Sequence, residues 1–212
     1  MITTVIFDLD GTLVHTNPDY YCRVVNNILS EFNLSASKKD INKFWFETNR
    51  NNIIRENFGL DPNLFWSKYD LYDTPKERIK HSSVYSDIGF IRELKHMGIK
   101  MGIVTGARPE ILAFEVGMVG REYFDEVIRA QRTSGIKPKP DPDGLLKCLE
   151  LLNTKKNEAV YVGNAEEDIL AAKNAGVFDI LILRGECEFP GLKPSLSIKN
   201  LYELGELFKD EK

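Results

Sequence analysis

The second part of the chain alternates strand-like and helix-like segments, and this alternation limits the possible folds more than any other feature. After about residue 83, short apolar runs are separated by segments with helical spacing. Strands that alternate with helices predict a parallel sheet covered on both faces. The predicted helices lie at 90–97, after residue 109, at 141–152 and at 166–175. The predicted strands lie at 100–104, 126–129, 159–162 and 179–183, and the last of these is expected to end the sheet.

The chain also begins with a strand that belongs to this sheet. The run Thr3–Phe7 is apolar and rich in β-branched residues, and Gly11 interrupts it. Asp8 and Asp10 are therefore expected at the carboxyl end of a core strand, where open α/β sheets bind their ligands. Two carboxylates so close together suit a hard cation such as Mg²⁺, which binds through oxygen. One of them is also a candidate nucleophile, as in enzymes that form an aspartyl-phosphate.

Between the first strand and the alternating part, the pattern is purely helical. Asn17 is a good N-cap before Pro18, Ser37 and Asp40 resemble a capping box, and Asp61 precedes a third helix. Both tryptophans lie in this segment, and aromatic residues at helical spacing are typical of a small helical core.

The expected fold is α/β, with a Rossmann-like parallel sheet core and an inserted small all-helical cap. The core is expected to comprise residues 1–15 and 81–212, and the cap residues 16–80, as a lid over the carboxyl ends of the strands. A length of 212 residues suits a core domain with one insertion.

Composition excludes several classes of function. The net charge of −4 offers no electrostatic footprint for nucleic acid or an anionic membrane, and no apolar run approaches the length of a membrane span. The N-terminal run contains an acid and no basic leader, unlike a signal peptide. Cys22, Cys148 and Cys187 are scattered, which favours free thiols in a reducing cytoplasm. We expect a cytoplasmic protein, monomer or homodimer, without nucleic-acid or membrane partners.

Further polar residues follow the other predicted strands. Thr105 and Gly106 end the second strand, Lys137 follows the third, and Asn164 follows the fourth, with Asp168 one helical turn later. A nucleophilic carboxylate, a lysine, a hydroxyl, the Gly106 N–H and a cation together suit phosphoryl transfer, which needs positioning and neutralisation of charge.

These motifs resemble those of the haloacid dehalogenase superfamily of phosphatases over essentially the whole chain. The run Asp8–Thr12 matches the first motif, Thr105-Gly106 the second, and Lys137, in Lys-Pro-x-Pro-Asp, the third. The run Gly163–Asp168 matches the fourth with one change. The helical insertion looks like the cap of the phosphoglycolate phosphatase and β-phosphoglucomutase branch.

The resemblance implies a role for each matched residue. Asp8 would be the nucleophile and a metal ligand, and Asp10 the general acid/base, with its backbone carbonyl on the metal. Thr105, with Gly106, would bind the phosphoryl group, and Lys137 would bridge the nucleophile and the phosphate. The implied cofactor is Mg²⁺, with Asp8, Asp10, Asn164 and Asp168 as the metal set. An acid at Asp10 favours phosphate esters over dehalogenation or phosphonate hydrolysis.

Asn164 departs from the family pattern, which has Asp there as a metal ligand. An amide oxygen still suits a hard cation but brings no charge, so weaker Mg²⁺ binding is expected. Glu166 or Glu167 are possible compensating acids. Asp168 is expected to be either a ligand or an acid that orients metal-bound water or Lys137.

The expected function is removal of phosphate from a small phosphorylated metabolite by a phosphoric monoester hydrolase. Three alternatives stay open: a phosphomutase of the β-phosphoglucomutase type, a non-catalytic phosphate-binding protein because of Asn164, and, less favoured, a phospho-receiver domain. The substrate is not readable from the sequence. Candidates for contacts that select it are Arg50, Arg55 and Lys68 in the cap, together with His15 and Arg108.

Overall fold

The computed structural model describes residues 1–208. The chain divides into two compact units, a core unit of residues 1–15 with the chain from residue 83 onward, and a cap unit of residues 16–82. The second boundary expected from the sequence, between residues 80 and 81, lies two residues earlier than this division.

The core unit contains a six-stranded parallel sheet, which confirms the predicted fold class. The strands along the described chain are β1 (Thr4–Phe7), β2 (Val14–Thr16), β3 (Ser82–Val84), β4 (Lys100–Thr105), β5 (Glu126–Arg129), β6 (Ala159–Gly163), β7 (Phe178–Ile182) and β8 (Leu196–Ile198). The large sheet has the order β5-β4-β1-β6-β7-β8, and β2 pairs with β3 in a separate sheet. The expectation that β7 is the last strand was wrong, because β8 adds an edge beyond it.

The α-helices within residues 1–208 are divided between the two units. The cap unit contains α1 (Pro18–Ser30), α2 (Lys38–Phe46), α3 (Arg50–Glu56), α4 (Pro62–Tyr72) and α5 (Pro75–Lys80), and the core unit contains α6 (Phe90–His96), α7 (Pro109–Val119), α8 (Asp143–Leu151) and α9 (Glu166–Ala175). Asn17, Ser37 and Asp61 cap α1, α2 and α4 through their side chains, as their sequence positions predict. None of the helices within residues 1–208 has the length and apolar character needed to cross a bilayer.

Both faces of the large sheet are buried, because alternate side chains of each strand point to opposite sides. On β1, Val5 and Phe7 join one apolar cluster, with residues of α6 and α7, whereas Ile6 joins another, with residues of α8 and α9. The cap unit has its own core, formed mainly by aromatic and aliphatic side chains of its helices. Trp45 packs against this core, whereas Trp66 is 38% exposed and contacts only the Phe44, Phe65 and Tyr69 rings among the aromatic contacts of the described residues.

Cys148 of α8 is fully buried against the sheet, and a Cβ added to Gly102 would lie 2.5 Å from its Sγ. Burial raises the pKa of the Cys148 thiol to about 12. Because the thiolate is the reactive form, we expect a thiol reagent near neutral pH to modify Cys22 and Cys187, which are partly exposed, well before Cys148. Peptide mapping by mass spectrometry, before and after denaturation, measures this order. Native labelling of Cys148 as fast as that of Cys187 would contradict it.

Candidate active site

The register of β1 places Asp8 between the ends of two neighbouring strands. Phe7, the last residue of β1, pairs with Val162 of β6, and the Asp8 backbone N–H donates to the Val162 carbonyl at 2.8 Å. Thr105 ends β4 on the other side of β1, and Asn164 directly follows β6. Because parallel strands end at one edge, three of the motifs identified in the sequence meet there.

The lysine that reaches Asp8 is Lys139. Its Nζ lies 2.7 Å from Asp8 Oδ1 and 2.6 Å from Asp168 Oδ1, and its side chain is only 5% exposed. A buried carboxylate is costly unless it is paired and hydrogen-bonded. One ammonium therefore pairs with two buried acids that are 160 residues apart in the sequence.

The expectation that Lys137 occupies this position was wrong. The Lys137 side chain is 60% exposed and pairs with Asp141 at 3.3 Å and Asp143 at 3.4 Å. The pattern Lys-Pro-x-Pro-Asp occurs twice in overlapping register, starting at Lys137 and again at Lys139, so the motif alone does not distinguish them. Only the second copy runs directly into α8, which begins at Asp143, and this is the signal that favours Lys139.

Asp168 holds Lys139 in place and is itself held by the protein. Its Oδ1 accepts a hydrogen bond from Lys139 and lies 3.0 Å from the Tyr161 hydroxyl, while its Oδ2 accepts from the Ala165 backbone N–H at 3.0 Å. A Cβ on Gly163 would lie 2.3 Å from the Asp168 Cβ, so glycine is needed for this approach. With both oxygens engaged and an ammonium in contact, the geometry favours the orienting role for Asp168 over direct metal contact, which are the two roles that the sequence leaves open.

Two residues of the site had no role in the sequence interpretation. The Thr12 hydroxyl lies 3.3 Å from Asp8 Oδ2 and 3.1 Å from Asn164 Oδ1, so it contacts both side chains. Tyr161 is a β6 residue that also lies against Lys139, with 3.4 Å between its hydroxyl oxygen and Nζ. A tyrosine within an apolar strand is ordinarily read as core, and only the parallel register brings its hydroxyl to the site.

The turns after β1 and β4 are closely packed. Gly11 has a φ of +83°, and a Cβ there would lie 2.1 Å from Asn164 Nδ2, so both conformation and space require glycine. Thr105 is buried, and its hydroxyl oxygen accepts the Ala107 backbone N–H at 3.1 Å. The Gly106 carbonyl accepts from Gln131 Nε2 at 2.7 Å. The second motif therefore forms a fixed turn beside Asp8.

Asp10 is the less buried member of the opening pair. It lies in the turn after β1, where its backbone forms a bridge with Val14. Its negative charge contributes to raising the pKa of Glu186, after the larger effect of burial. Asp10 therefore lies within electrostatic reach of the segment after β7.

Burial dominates the protonation of the nucleophile candidate. It raises the pKa of the Asp8 carboxyl to about 7, although the neighbouring Lys139 ammonium acts in the opposite direction. Burial alone would lower the pKa of Lys139, but the charges of Asp168 and Asp8 raise it well above its ordinary value. The lysine is therefore charged, and Asp8 sits where a further positive charge would favour its ionised form.

The donor atoms around Asp8 suit a hard cation by type. Asp8 Oδ2 and Asn164 Oδ1 flank the same Thr12 hydroxyl, and both are the oxygen donors that Mg²⁺ prefers. Within residues 1–208 there is no group of three or more His, Cys, Asp or Glu side chains arranged to hold a metal. The residues thus fit Mg²⁺ with fewer charged ligands than a cluster of acids would supply.

The candidate specificity residues of the cap already have partners within that unit. Arg50 donates to backbone carbonyls of α2, Arg55 donates to Asn52 at 3.3 Å, and Lys68 pairs with Glu31 at 2.7 Å. These contacts explain the three cations as parts of the cap structure. A role in substrate recognition stays a prediction.

The two candidates outside the cap have different settings. His15 Nδ1 lies 2.8 Å from Glu186 Oε1, and the His15 ring contacts the Tyr85 ring. Arg108 immediately precedes Pro109, at the start of α7 beside the Thr105 turn. His15 is therefore part of a polar cluster, and the function of Arg108 stays a prediction.

A comparison with known families decides the class of this site. The model of haloacid dehalogenase-like hydrolases matches residues 5–182. The chain belongs to this family. It is therefore a hydrolase of the phosphatase class, as the four motifs predict.

Individual relatives cover nearly the whole chain. The chain is 30% identical to pyrophosphatase PpaX of Bacillus cereus, and the alignment covers 96% of the present chain and 94% of PpaX. A structure of a Lactobacillus plantarum protein, provisionally described as a phosphoglycolate phosphatase, aligns with a TM-score of 0.82 at 24% identity, covering 98% of this chain and 100% of the other. A phosphatase of this family from Thermococcus onnurineus aligns with a TM-score of 0.68 at 25% identity, covering 98% of each chain. These structures have the same fold as the present chain.

The two lysines of the overlapping motif provide a matched test of the site. We expect Lys139→Met to lower kcat for p-nitrophenyl phosphate by ~100-fold or more, because the buried ammonium that contacts Asp8 is lost. Lys137→Met removes an exposed lysine and should leave kcat within about twofold of the wild-type value. Steady-state phosphate release measures both. The reverse pattern would restore Lys137 as the site lysine.

Proposed function

We propose that this protein is a Mg²⁺-dependent phosphatase that acts on a small phosphorylated metabolite through an aspartyl-phosphate on Asp8. The observation that carries the proposal is the pairing of Asp8 with the buried ammonium of Lys139, beside the Thr105 turn. A nucleophile, a fixed positive charge and a hydroxyl side chain at one sheet edge match the requirements of phosphoryl transfer. Family membership supports the same chemistry.

In the first step, an oxygen of the Asp8 carboxylate attacks phosphorus and the bond to the leaving oxygen breaks. Asp10 donates a proton to that oxygen, so the product leaves as an alcohol or as a protonated phosphate. Lys139 and the Thr105 turn hold the phosphoryl oxygens during the transfer. The step forms an acyl phosphate on Asp8 and leaves Asp10 as a carboxylate.

In the second step, Asp10 removes a proton from water, which attacks the phosphorus of the acyl phosphate. The bond between phosphorus and the Asp8 oxygen breaks, so inorganic phosphate is released and both acids return to their starting states. Asp168 keeps Lys139 in position throughout, through the contact at 2.6 Å. Mg²⁺, held by Asp8, Asp10 and Asn164, would supply positive charge that keeps Asp8 ionised and offsets the charge on the phosphoryl group.

The names of the relatives suggest which substrates to test first. Pyrophosphate and phosphoglycolate are the natural starting points, with sugar phosphates and nucleotides beside them, each measured with and without Mg²⁺. Steady release of inorganic phosphate supports a phosphatase. Transfer of the phosphoryl group to a second sugar hydroxyl would indicate a mutase instead.

Replacement of the nucleophile is the direct test of the mechanism. We expect Asp8→Asn to abolish phosphate release, because an amide does not form the acyl phosphate. Borohydride treatment of acid-quenched wild-type enzyme should convert Asp8 to homoserine, which peptide mass spectrometry detects. Asp125→Asn changes a half-exposed carboxylate that pairs with Lys95 and serves as the control. Activity that survives in Asp8→Asn would exclude Asp8 as the nucleophile.

Asn164 lacks the negative charge of the aspartate in the family pattern, and the effect of this difference on Mg²⁺ dependence can be measured. We expect Asn164→Asp to lower the Mg²⁺ concentration that gives half-maximal activity, on the order of tenfold, because it adds one anionic ligand. Asn157→Asp makes the same substitution at an exposed position and should leave the Mg²⁺ dependence unchanged. Equal Mg²⁺ titration curves for wild type and Asn164→Asp would show that Asn164 is not a ligand.

A further inference from the structure

A buried arginine outside the four motifs contacts the turn that carries the catalytic acids. Arg184, in the segment after β7, donates from Nη2 to the Thr12 backbone carbonyl at 2.5 Å and from Nη1 to Asp87 Oδ2 at 2.7 Å. The side chains of Arg184 and Asp87 are 7% and 6% exposed. The guanidinium carbon also lies 3.8 Å from the centroid of the Tyr85 ring. The guanidinium is thus fixed by a carboxylate, a carbonyl and an aromatic face.

Asp87 extends this network to a distant part of the core unit. Its Oδ2 also accepts the backbone N–H of Leu201 at 2.7 Å. Leu201 is fully buried and belongs to the main apolar cluster beside the sheet. Asp87 is therefore anchored to the buried core through Leu201, and it holds Arg184 in turn. Neither Asp87 nor Leu201 takes part in the proposed chemistry.

The turn that Arg184 contacts is itself tightly bonded. The Gly11 N–H donates to the Val14 carbonyl at 2.6 Å, and the Val14 N–H donates to the Leu9 carbonyl at 3.0 Å. Within this turn the Thr12 carbonyl points to Arg184, while the hydroxyl of the same residue contacts Asp8 and Asn164. Thr12 therefore contacts Arg184 through its carbonyl and both Asp8 and Asn164 through its hydroxyl.

We propose that Arg184 is a positioning residue, which fixes the Thr12 peptide and thereby the relative placement of Asp8, Asp10 and Asn164. The planar guanidinium donates to the carboxylate and the carbonyl at once, which a single ammonium group does less well. The predicted effect on rate rests on the proposed function. The fixing of the turn rests on the contacts of Arg184 alone.

The experiment separates ion pairing from positioning by means of a double variant. Arg184→Met leaves Asp87 buried without its cation, so we expect the protein to be less stable and the turn at residues 11–14 to be less well fixed. Arg184→Met combined with Asp87→Asn removes the charge imbalance but does not restore the contact with Thr12. Arg184→Lys retains one of the two contacts. Arg78→Met removes another buried arginine that pairs with an aspartate, Asp73 in the cap unit, and serves as the control for general destabilisation.

Three readouts are measured on each full-length variant: the melting temperature, the hydrogen exchange of the backbone amides of residues 11–14, and kcat and KM for the best substrate of the panel. In the double variant we expect the melting temperature to recover relative to Arg184→Met, while exchange at 11–14 stays faster than in wild type. We expect kcat to stay ~10- to 100-fold below wild type with a smaller change in KM, because a misplaced reacting group slows the chemical step. Arg184→Lys should be intermediate, and Arg78→Met should leave exchange at 11–14 unchanged.

The outcomes also distinguish this inference from the proposed function. Wild-type exchange at residues 11–14 in the double variant would overturn the positioning role, and so would a kcat that recovers together with the melting temperature. Faster exchange at 11–14 in Arg78→Met would attribute the effect to general destabilisation and would likewise overturn it. If the wild-type protein hydrolyses no phosphate compound, the proposed function fails, and the exchange result alone still decides whether Arg184 fixes the turn.

Discussion

The site depends on the contact of one ammonium with two buried carboxylates. Lys139 comes from the segment before α8, Asp8 from the end of β1 and Asp168 from the first turn of α9. Without the positive charge, two acids would face each other in a medium that solvates neither of them. The positive charge of Lys139 therefore helps to hold these three chain segments together. The same charge serves the chemistry proposed for the site. It is also the reason why Asp168 is better understood as a support for Lys139 than as a metal ligand.

Close packing around these charges is achieved with the smallest residues. Gly11 lets the Asn164 amide lie against the first turn, and Gly163 lets Asp168 fold back beside the end of β6. In both places a single methyl group would push a functional side chain out of its position. The positions of the polar side chains in the site therefore depend on the close approach of the backbone at these glycines, as well as on hydrogen bonds.

Much of the architecture could be predicted because it depends on local signals. Apolar runs, N-cap residues and terminal glycines indicated the core strands and the main helices, and Asp8, Thr105 and Asn164 follow from their places after those strands. What could not be predicted depends on register and packing. The two overlapping Lys-Pro patterns are locally equivalent, and only the position of α8 separates them.

Other omissions have the same origin. The short strand β8 forms by pairing with the edge of β7, and this pairing is not indicated by any local sequence pattern. α3 follows a left-handed Asn49 that makes no side-chain cap, so its start carries little signal. The hydroxyl of Tyr161 and the guanidinium of Arg184 each contact a residue more than fifty positions away on the chain, Val104 and Thr12 respectively.

The central place of β1 in the sheet also has a consequence for the synthesis of the protein. This strand is synthesised before both of its neighbours, β4 and β6, which begin at residues 100 and 159. Its apolar side chains have no partner in the large sheet until β4 has been made, whereas the cap helices make contacts that are local in sequence and can form early. Long-range parallel pairing is slow and leaves apolar segments open to aggregation. Until β4 and β6 have been made, the segment that bears Asp8 therefore lacks the partners that bury it in the folded core.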